Sequence, residues 1–267
     1  MTIEDRPYAA SSTSKGVFNT PYAASVTALT QAPVTQQQCR WTPVIVGSKL
    51  LFPTASITFQ RGVRLMVFHP AKRSREPAIP MQPIVDPAGW YPADLEADQD
   101  WIYTLTDIEI AEIQAAVATI EERGLDILDI GRGDVDMPHF DQTLAMLHDE
   151  LLEGRGFFLL RGVPVADFNH AQAAAAYWVI GTRFGRALSQ NKKRHMLGHV
   201  KDFGGDYAAA NVRGYQTNAE LIFHCDLCDY VGLLCRHPAK SGGASRIASN
   251  VTVYNEMLKT CPELVEE

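Results

Sequence analysis

The spacing of apolar residues predicts three helices and one buried strand in the middle of the chain. A capping box, "TDIE" at 106–109, precedes apolar residues at helical spacing that stop at Gly124. Two further helical patterns end at glycines, and one short apolar run is bounded by Gly and Pro. The predicted elements are helices over 106–124, 141–153 and 168–185 and a strand over 156–164.

After Gly185 the pattern changes to short apolar runs separated by turn residues. A last helix is predicted to begin near Ser249, and the runs before it predict strands over 195–200, 219–224, 230–236 and 245–249. Helices followed by several short strands indicate an α+β fold whose strands form a sandwich or barrel.

The first 82 residues are predicted to lie outside the folded domain, which we place at 83–267. Residues 1–40 are rich in Ser, Thr, Ala and Gln without apolar periodicity, so we expect disorder there. The pattern then allows one or two strands before a proline-rich linker; these segments are 42–52, 57–69 and the linker 70–83.

Charge and cysteine usage argue against several classes of protein. The net charge is −7, and residues 83–267 hold fifteen Lys and Arg against twenty-eight Asp and Glu, so we expect no nucleic-acid-binding surface. No apolar run approaches the roughly eighteen residues that a membrane-spanning helix needs. Five cysteines without a secretory signal predict reduced thiols in an intracellular, cytoplasmic protein, and the acid-poor, Ser-rich start leaves mitochondrial import open.

One stretch, residues 218–246, holds three cysteines, two histidines and two aspartates, which suggests a metal site. A structural zinc site is one interpretation, with ligands from Cys225, Cys228, Cys235 and His237. Only one C-x2-C pair is present, and its two side chains would point to opposite faces of an extended chain. Zinc is therefore the weaker interpretation.

An iron site is the second interpretation of this stretch. His224 and Asp226 are two residues apart at the end of a predicted strand, so both side chains project from the same face. With a second histidine from elsewhere they would form a 2-His-1-carboxylate triad, which leaves coordination positions open for substrate and oxygen. A core histidine beside a surface aspartate is the alternative that the residues alone leave open.

Two other His-x-acid pairs occur, and their predicted positions argue against metal binding. His148 and Glu150 fall within a predicted helix, where positions two apart diverge by roughly 200°. His139 and Asp141 straddle a predicted helix start, where Asp141 is expected to be the N-cap.

The pieces "GRGFFLLRGVP", "LGHVKD" and "YQTNAELIFHCDLCDYVGLLCRHPAKSGGASRIASNVTVYNEM", in that order, resemble the TauD/TfdA-like (taurine dioxygenase-like) family of Fe(II)- and 2-oxoglutarate-dependent dioxygenases. The resemblance implies a partial double-stranded β-helix, or jelly roll, flanked by helices. It also implies Fe(II), with 2-oxoglutarate and O₂ as co-substrates, and hydroxylation of a small organic substrate. By position it makes His224 and Asp226 iron ligands and Ser245 a 2-oxoglutarate contact.

The sequence departs from the family pattern in three places. Cys225 stands where Thr or Ser is common, and Ser245 stands where Thr is common. The distal histidine and the 2-oxoglutarate-binding arginine of the family have no counterpart, because only His237 and Arg246 follow the motif and His237 is not expected to replace the ligand. We therefore expect a C-terminally truncated member, with poor or no activity as it stands. A non-catalytic remnant or binding fragment is the alternative.

Three residues near the predicted metal are candidates for the substrate pocket wall: Tyr215, Asn218 and Phe223. Tyr215 is equally explained as a packing residue and Asn218 as a turn residue. Specificity depends on loops, so the fold class leaves the substrate itself and the oligomeric state open.

Overall fold

The computed structural model describes residues 77–207, 212–226, 228–239 and 243–266, together with the backbone of 41–45. The predicted disorder of 1–40 and the predicted strand at 57–69 lie outside these residues. The helices are α1 Pro92–Ala97, α2 Asp107–Arg123, α3 Pro138–Glu153, α4 His170–Phe184, α5 Asn250–Thr260 and α6 Pro262–Glu266. The strands are β1 Trp41–Ile45, β2 Ile102–Thr104, β3 Phe158–Arg161 and β4 Val231–Gly232.

The predicted helices are confirmed, and local capping explains their ends. The Thr106 hydroxyl accepts a hydrogen bond from the Glu109 amide at 3.3 Å, and α2 ends at Gly124 with a left-handed φ of 60°. Asn169 caps α4 through a 3.0 Å bond from the Gln172 amide. Ser249 caps α5 in the same way, so the signals for all three helices could be read from the sequence.

The start of α3 differs from the prediction. The helix begins at Pro138, three residues before the predicted start, because the fixed φ of proline suits the first helical position. Asp141 is therefore inside the first turn, and its prediction as the N-cap is wrong. Its carboxylate accepts a 2.8 Å hydrogen bond from Nε of the buried Arg183 on α4.

The sheet has the strand order β2-β3-β1-β4. β2 runs parallel to β3, while β1 is antiparallel to both β3, with Trp41 opposite Arg161, and β4, with Val44 opposite Gly232. The strand predicted over 42–52 is thus observed at its first residues. The apolar run at 156–164 forms β3 as predicted, although the strand covers only its middle.

Several predicted strands are absent from the described part of the chain. Residues 195–200, 219–224 and 245–249 are irregular, and the predicted strand at 230–236 is reduced to Val231–Gly232. A strand requires a neighbour for its backbone groups. In the predicted strand at 195–200, for example, the His195 carbonyl instead accepts a 2.7 Å hydrogen bond from the amide of Gln190 in the preceding loop. The α+β class holds, with a small mixed sheet rather than a visible jelly roll.

The hydrophobic core lies between β3 and the helices α2, α3 and α4, which pack against one another. Phe158 and Leu160, on one face of β3, are fully buried, and burial of each such side chain contributes about 1.5–3 kcal/mol. The helices add apolar residues spaced three or four positions apart, which places them on one face of each helix. They include Ile113, Val117, Leu144, Leu147 and Val179. We call α2, α3 and α4 the helical layer, and the segment that follows the candidate site packs against it.

The helix α5 is fastened to the segment that enters the domain. The side-chain amide of Asn255 donates to the backbone carbonyl of Ile84 at 2.7 Å and accepts from the backbone amide of Ile84 at 2.8 Å. It thereby makes the two hydrogen bonds that a neighbouring strand would make. The Thr252 hydroxyl donates to the Trp90 carbonyl at 2.8 Å. In the described ranges no helix has both the length and the apolar character needed to cross a membrane.

Candidate metal centre

The two predicted iron ligands lie on an exposed, irregular segment between residue 217 and β4. His224 and Asp226 are both exposed. The prediction that they leave a strand together is wrong, because 219–224 is not a strand in this structure. The apolar run that precedes them is also exposed, with Ile222 at 79% and Phe223 at 48%.

The hydrogen bond that His224 makes defines its tautomer. Nδ1 of His224 lies 2.8 Å from the carbonyl oxygen of Ile222. A carbonyl oxygen can only accept, so Nδ1 carries the hydrogen and the lone pair of the neutral ring is on Nε2. Metal-bound histidines usually have this arrangement, in which the nitrogen away from the metal donates to a carbonyl or carboxylate. The local geometry of His224 therefore fits a metal ligand.

The donor set fits Fe(II) in its chemistry but is incomplete in the described residues. An imidazole and a carboxylate are two of the three ligands of a 2-His-1-carboxylate site. Within the described ranges, no group of three or more His, Cys, Asp or Glu side chains could hold a metal ion. Among these residues His237 is therefore not brought together with His224 and Asp226. Cys225, Cys228, Cys235 and His237, the four residues of the zinc interpretation, likewise do not form such a group among the described residues.

The environment of Cys228 also disfavours zinc. Burial, followed by the negative charges of Asp226 and Asp229, raises the pKa of the Cys228 thiol. Zinc binds the thiolate, so a raised pKa opposes this use of the side chain.

The other two His-x-acid pairs have different partners. Nδ1 of His139 lies 2.7 Å from Glu112 Oε1, while Asp141 is bonded to Arg183 as described above. His148 and Glu150 lie within α3, as predicted, and Nε2 of His148 lies 2.8 Å from the Tyr230 hydroxyl. These contacts account for both pairs within the helical layer.

Ser245, the predicted 2-oxoglutarate contact, lies on an exposed segment beside the run that leads to His224. Its neighbour Arg246 forms an ion pair with Glu220, and its guanidinium lies 5.9 Å from the centre of the Phe223 ring. Gly243, two residues before Ser245, has a φ of 69°, which favours glycine and turns the chain here. Two motif pieces that are separated in sequence are thereby brought together.

The three predicted pocket-wall residues have different settings. Tyr215 is half-buried in a short 3-10 helix, Gly214–Gln216, and its carbonyl accepts from the Lys201 amide. Asn218 is exposed at a bend, as a turn residue would be. Phe223 contacts Arg246 directly in front of His224. Only Phe223 is thus placed next to both motif pieces.

The segment 230–236, which follows the candidate site, contacts the helical layer at every second residue. Tyr230 bonds to His148, and Arg236 Nη1 lies 2.7 Å from His170 Nδ1 at the start of α4. Between them Leu234 packs on the core and Gly232 lies against Tyr177. The period of two is that of the predicted strand, but these partners could not be read from the sequence.

A cavity of about 520 Å³ lies elsewhere, between the start of α2 and α3. Its buried acid, Glu109, accepts hydrogen bonds from the Tyr103 hydroxyl at 2.8 Å and from Thr106 and Thr143. The lining residues are Thr106, Ile108, Glu109, His139, Gln142, Thr143 and Met146, and none belongs to the predicted metal site. Apart from the capping box, sequence reasoning did not indicate this cavity.

Comparison with known proteins establishes the family. The profile described as "Taurine catabolism dioxygenase TauD, TfdA family" matches residues 121–267, which is more than half of the chain. The chain therefore belongs to the TauD/TfdA family. The matched region contains His224, Asp226 and Ser245.

Two relatives are similar to the chain over about two thirds of its length. The chain is 34% identical over 185 residues to FR-33289 synthase of Streptomyces rubellomurinus, covering 69% of this chain and 55% of the relative. It is 24% identical over 188 residues to taurine hydroxylase-like protein SAT17 of Stachybotrys chartarum, covering 68% and 49%. The chain spans about half the length of these relatives. It is thus related to dioxygenase-type enzymes over that half.

Proposed function

We propose that the protein is an Fe(II)- and 2-oxoglutarate-dependent oxygenase that hydroxylates a small organic substrate. The observation that carries the proposal is the state of His224 within the family-matched region. Its Nδ1 lies 2.8 Å from a backbone carbonyl oxygen, an arrangement that leaves Nε2 to bind a metal, and an exposed carboxylate lies two residues further along the chain. The family relationship supports iron as the metal that these two side chains would bind and 2-oxoglutarate as the co-substrate.

His224 and Asp226 would hold the metal, and neither acts as a general acid or base in this proposal. The Ser245 hydroxyl would donate a hydrogen bond to a 2-oxoglutarate oxygen. When bound, iron supplies the centre at which 2-oxoglutarate and O₂ react and a substrate C–H bond is hydroxylated. The residues of this chain orient these groups, and Tyr215, Asn218 and Phe223 are our candidates for contact with the substrate.

The relatives support a hydroxylase-type activity without defining a substrate. One is named as a taurine hydroxylase-like protein and the other as a synthase of FR-33289. We propose a small molecule for this chain as well, since the candidate residues lie on irregular segments that a substrate can reach.

A second candidate function is a non-catalytic binding fragment of the same fold. It is favoured by the finding that no group of three or more potential metal ligands lies together among the described residues. Two protein ligands would leave the other coordination positions of an iron ion to water and small molecules, so iron would be held loosely by these residues.

Succinate release distinguishes the two functions. The protein is incubated with Fe(II), 2-oxoglutarate and ascorbate, with the His224→Ala and Asp226→Ala variants and with Cys225→Ser as a matched control between the two ligands. An oxygenase gives succinate that both ligand substitutions abolish and that Cys225→Ser retains. Succinate at background level in the unmodified chain, with Fe(II) binding intact, would instead favour the binding fragment. Equal turnover in all variants would contradict both.

A further inference from the structure

The hydroxyl of Tyr230 and the ring of His148 form a contact between the helices and the chain shortly after the candidate ligands. The 2.8 Å bond between them joins residues that are 82 positions apart. The two rings also meet edge to face, with their centres 5.4 Å apart and their planes at 66°. Tyr230 follows Asp226 by four residues, so this contact is close to the proposed carboxylate ligand.

His148 is itself held rigidly on the helical layer. It belongs to α3, whose inner face is part of the core, and its ring contacts Phe184 of α4 edge to face at 5.7 Å. Phe184 in turn lies 5.9 Å from the ring of Phe158 on β3. The imidazole is thus fixed by two elements before Tyr230 adds its hydrogen bond.

The Tyr230 hydroxyl keeps its proton at neutral pH and can therefore donate this hydrogen bond. Burial, followed by the negative charge of Asp229, raises the pKa of Tyr230. The phenol therefore stays protonated at neutral pH, so its hydroxyl can donate to Nε2 of His148 when that nitrogen holds a lone pair. On the other side of the ligands, Leu221, Ile222 and Phe223 are exposed, and that side is held by the contacts of Arg246 with Glu220 and Phe223.

We infer that His148 and Tyr230 are positioning residues for the proposed iron centre. Their bond fixes the point at which the ligand segment leaves the helical layer and thereby restricts the positions that the Asp226 carboxylate can take. The inference rests on the proposed function, because it concerns the affinity of the same two ligands. Substitution of a residue that hydrogen-bonds to a metal ligand typically changes metal affinity by about 10–100-fold. Tyr230 acts on Asp226 through four residues of chain, so we expect an effect at the lower end of this range.

The test is an anaerobic Fe(II) titration of the whole chain with 2-oxoglutarate present. Tyr230→Phe removes the hydroxyl but keeps the ring, and His148→Leu removes the acceptor. We expect each to raise the Fe(II) Kd by about tenfold. His148→Gln, whose amide can occupy the place of Nε2, should restore an affinity close to that of the unmodified protein.

Tyr103→Phe is the matched control. It also removes one half-buried phenol hydroxyl, which is distant in sequence from the ligand segment and whose hydrogen bonds are to Glu109 on α2 and Thr143 on α3. We expect its Fe(II) Kd to stay unchanged, even where its Tm falls as far as that of Tyr230→Phe. A second measurement needs no metal: backbone amides of 224–226 and 228–230 should exchange faster in Tyr230→Phe than in Tyr103→Phe.

The outcomes separate this inference from the proposed function. Loss of Fe(II) binding in His224→Ala, with Tyr230→Phe equal to the unmodified protein, would overturn the positioning role and leave the iron site intact. The same rise in Kd for Tyr103→Phe and Tyr230→Phe would also overturn it, because the effect would then be one of stability. An unmodified chain that binds Fe(II) no better than His224→Ala would overturn both.

Discussion

Gly232 lies so close to Tyr177 that a Cβ atom at position 232 would be 2.6 Å from the Tyr177 hydroxyl oxygen. Burial raises the pKa of Tyr177 to about 12, so this hydroxyl is a neutral phenol at physiological pH. Through this contact β4 packs closely against α4. β4 lies in the segment that follows the candidate metal ligands. Glycine is needed here for close approach rather than for a turn.

The first prediction concerns this contact. Gly232→Ala should lower the free energy of unfolding by about 1–3 kcal/mol, because the added methyl group overpacks the site. In the Tyr177→Phe background the cost should be smaller, since the next nearest atom, Tyr177 Cζ, is at an ordinary 3.5 Å. Denaturant unfolding of the two single variants and the double variant measures the coupling.

Gly181→Ala is the control for that experiment. Gly181 lies in α4 with no atom within 4 Å of the place a Cβ would take. Alanine there should stabilise the helix by about 0.5–1 kcal/mol. A cost for Gly232→Ala that is the same with and without the Tyr177 hydroxyl would contradict the predicted clash.

The second prediction concerns Glu112, whose carboxylate on α2 receives hydrogen bonds at the start of α3. Its donors are the Phe140 amide at 2.9 Å, the His139 amide at 3.1 Å and, at 2.7 Å, the His139 ring. Burial alone would raise the pKa of Glu112, but these bonds outweigh it and lower the pKa. The folded protein therefore binds this proton more weakly than the unfolded chain does.

The sign of the pH dependence follows from the lowered pKa. The stabilisation is fully present above the unfolded value, about 4.3, and is lost as the pH falls through the lower folded value. Glu112→Gln cannot ionise, so its free energy of unfolding should fall less steeply with acid in this window. Urea unfolding of both proteins between about pH 2.5 and 6 measures the difference; parallel curves would contradict the assignment.

The third prediction concerns the N-terminal region. Deletion of residues 1–40 should leave Tm unchanged, since their sequence lacks the apolar periodicity that contributes to a core. Deletion through residue 45 should lower Tm, because β1 is paired with both β3 and β4. A large drop in Tm from the shorter deletion would show that residues before β1 contribute to the fold.

The helices could be predicted because their signals are local. Each of three helices is capped by a side chain that accepts a hydrogen bond from the backbone amide three residues later; the caps are Thr106, Asn169 and Ser249. The capping residue and the helix start it stabilises therefore lie within a few residues of sequence. Asp141 shows the limit of this approach: it has the right type for an N-cap, but Pro138 starts the helix earlier.

The strands were predicted less well because a strand depends on distant partners. The run from Leu221 to Phe223 has an apolar strand pattern, but it has no paired strand among the described residues and is irregular and exposed. The same-face argument for His224 and Asp226 assumed that strand, so the pair now rests on the family relationship and on the His224 tautomer. The bond from Tyr230 to His148 joins distant parts of the sequence, and no motif indicates it.

The central claim is that His224 and Asp226 bind Fe(II), and the most direct test is the difference absorbance that Fe(II) produces with 2-oxoglutarate in the absence of oxygen. We predict this signal for the unmodified protein and for Cys225→Ser and Cys228→Ser. We predict its loss in His224→Ala and in Asp226→Ala. A signal that survives both ligand substitutions, or metal binding that is lost only in the cysteine variants, would contradict the claim, and the latter result would indicate zinc.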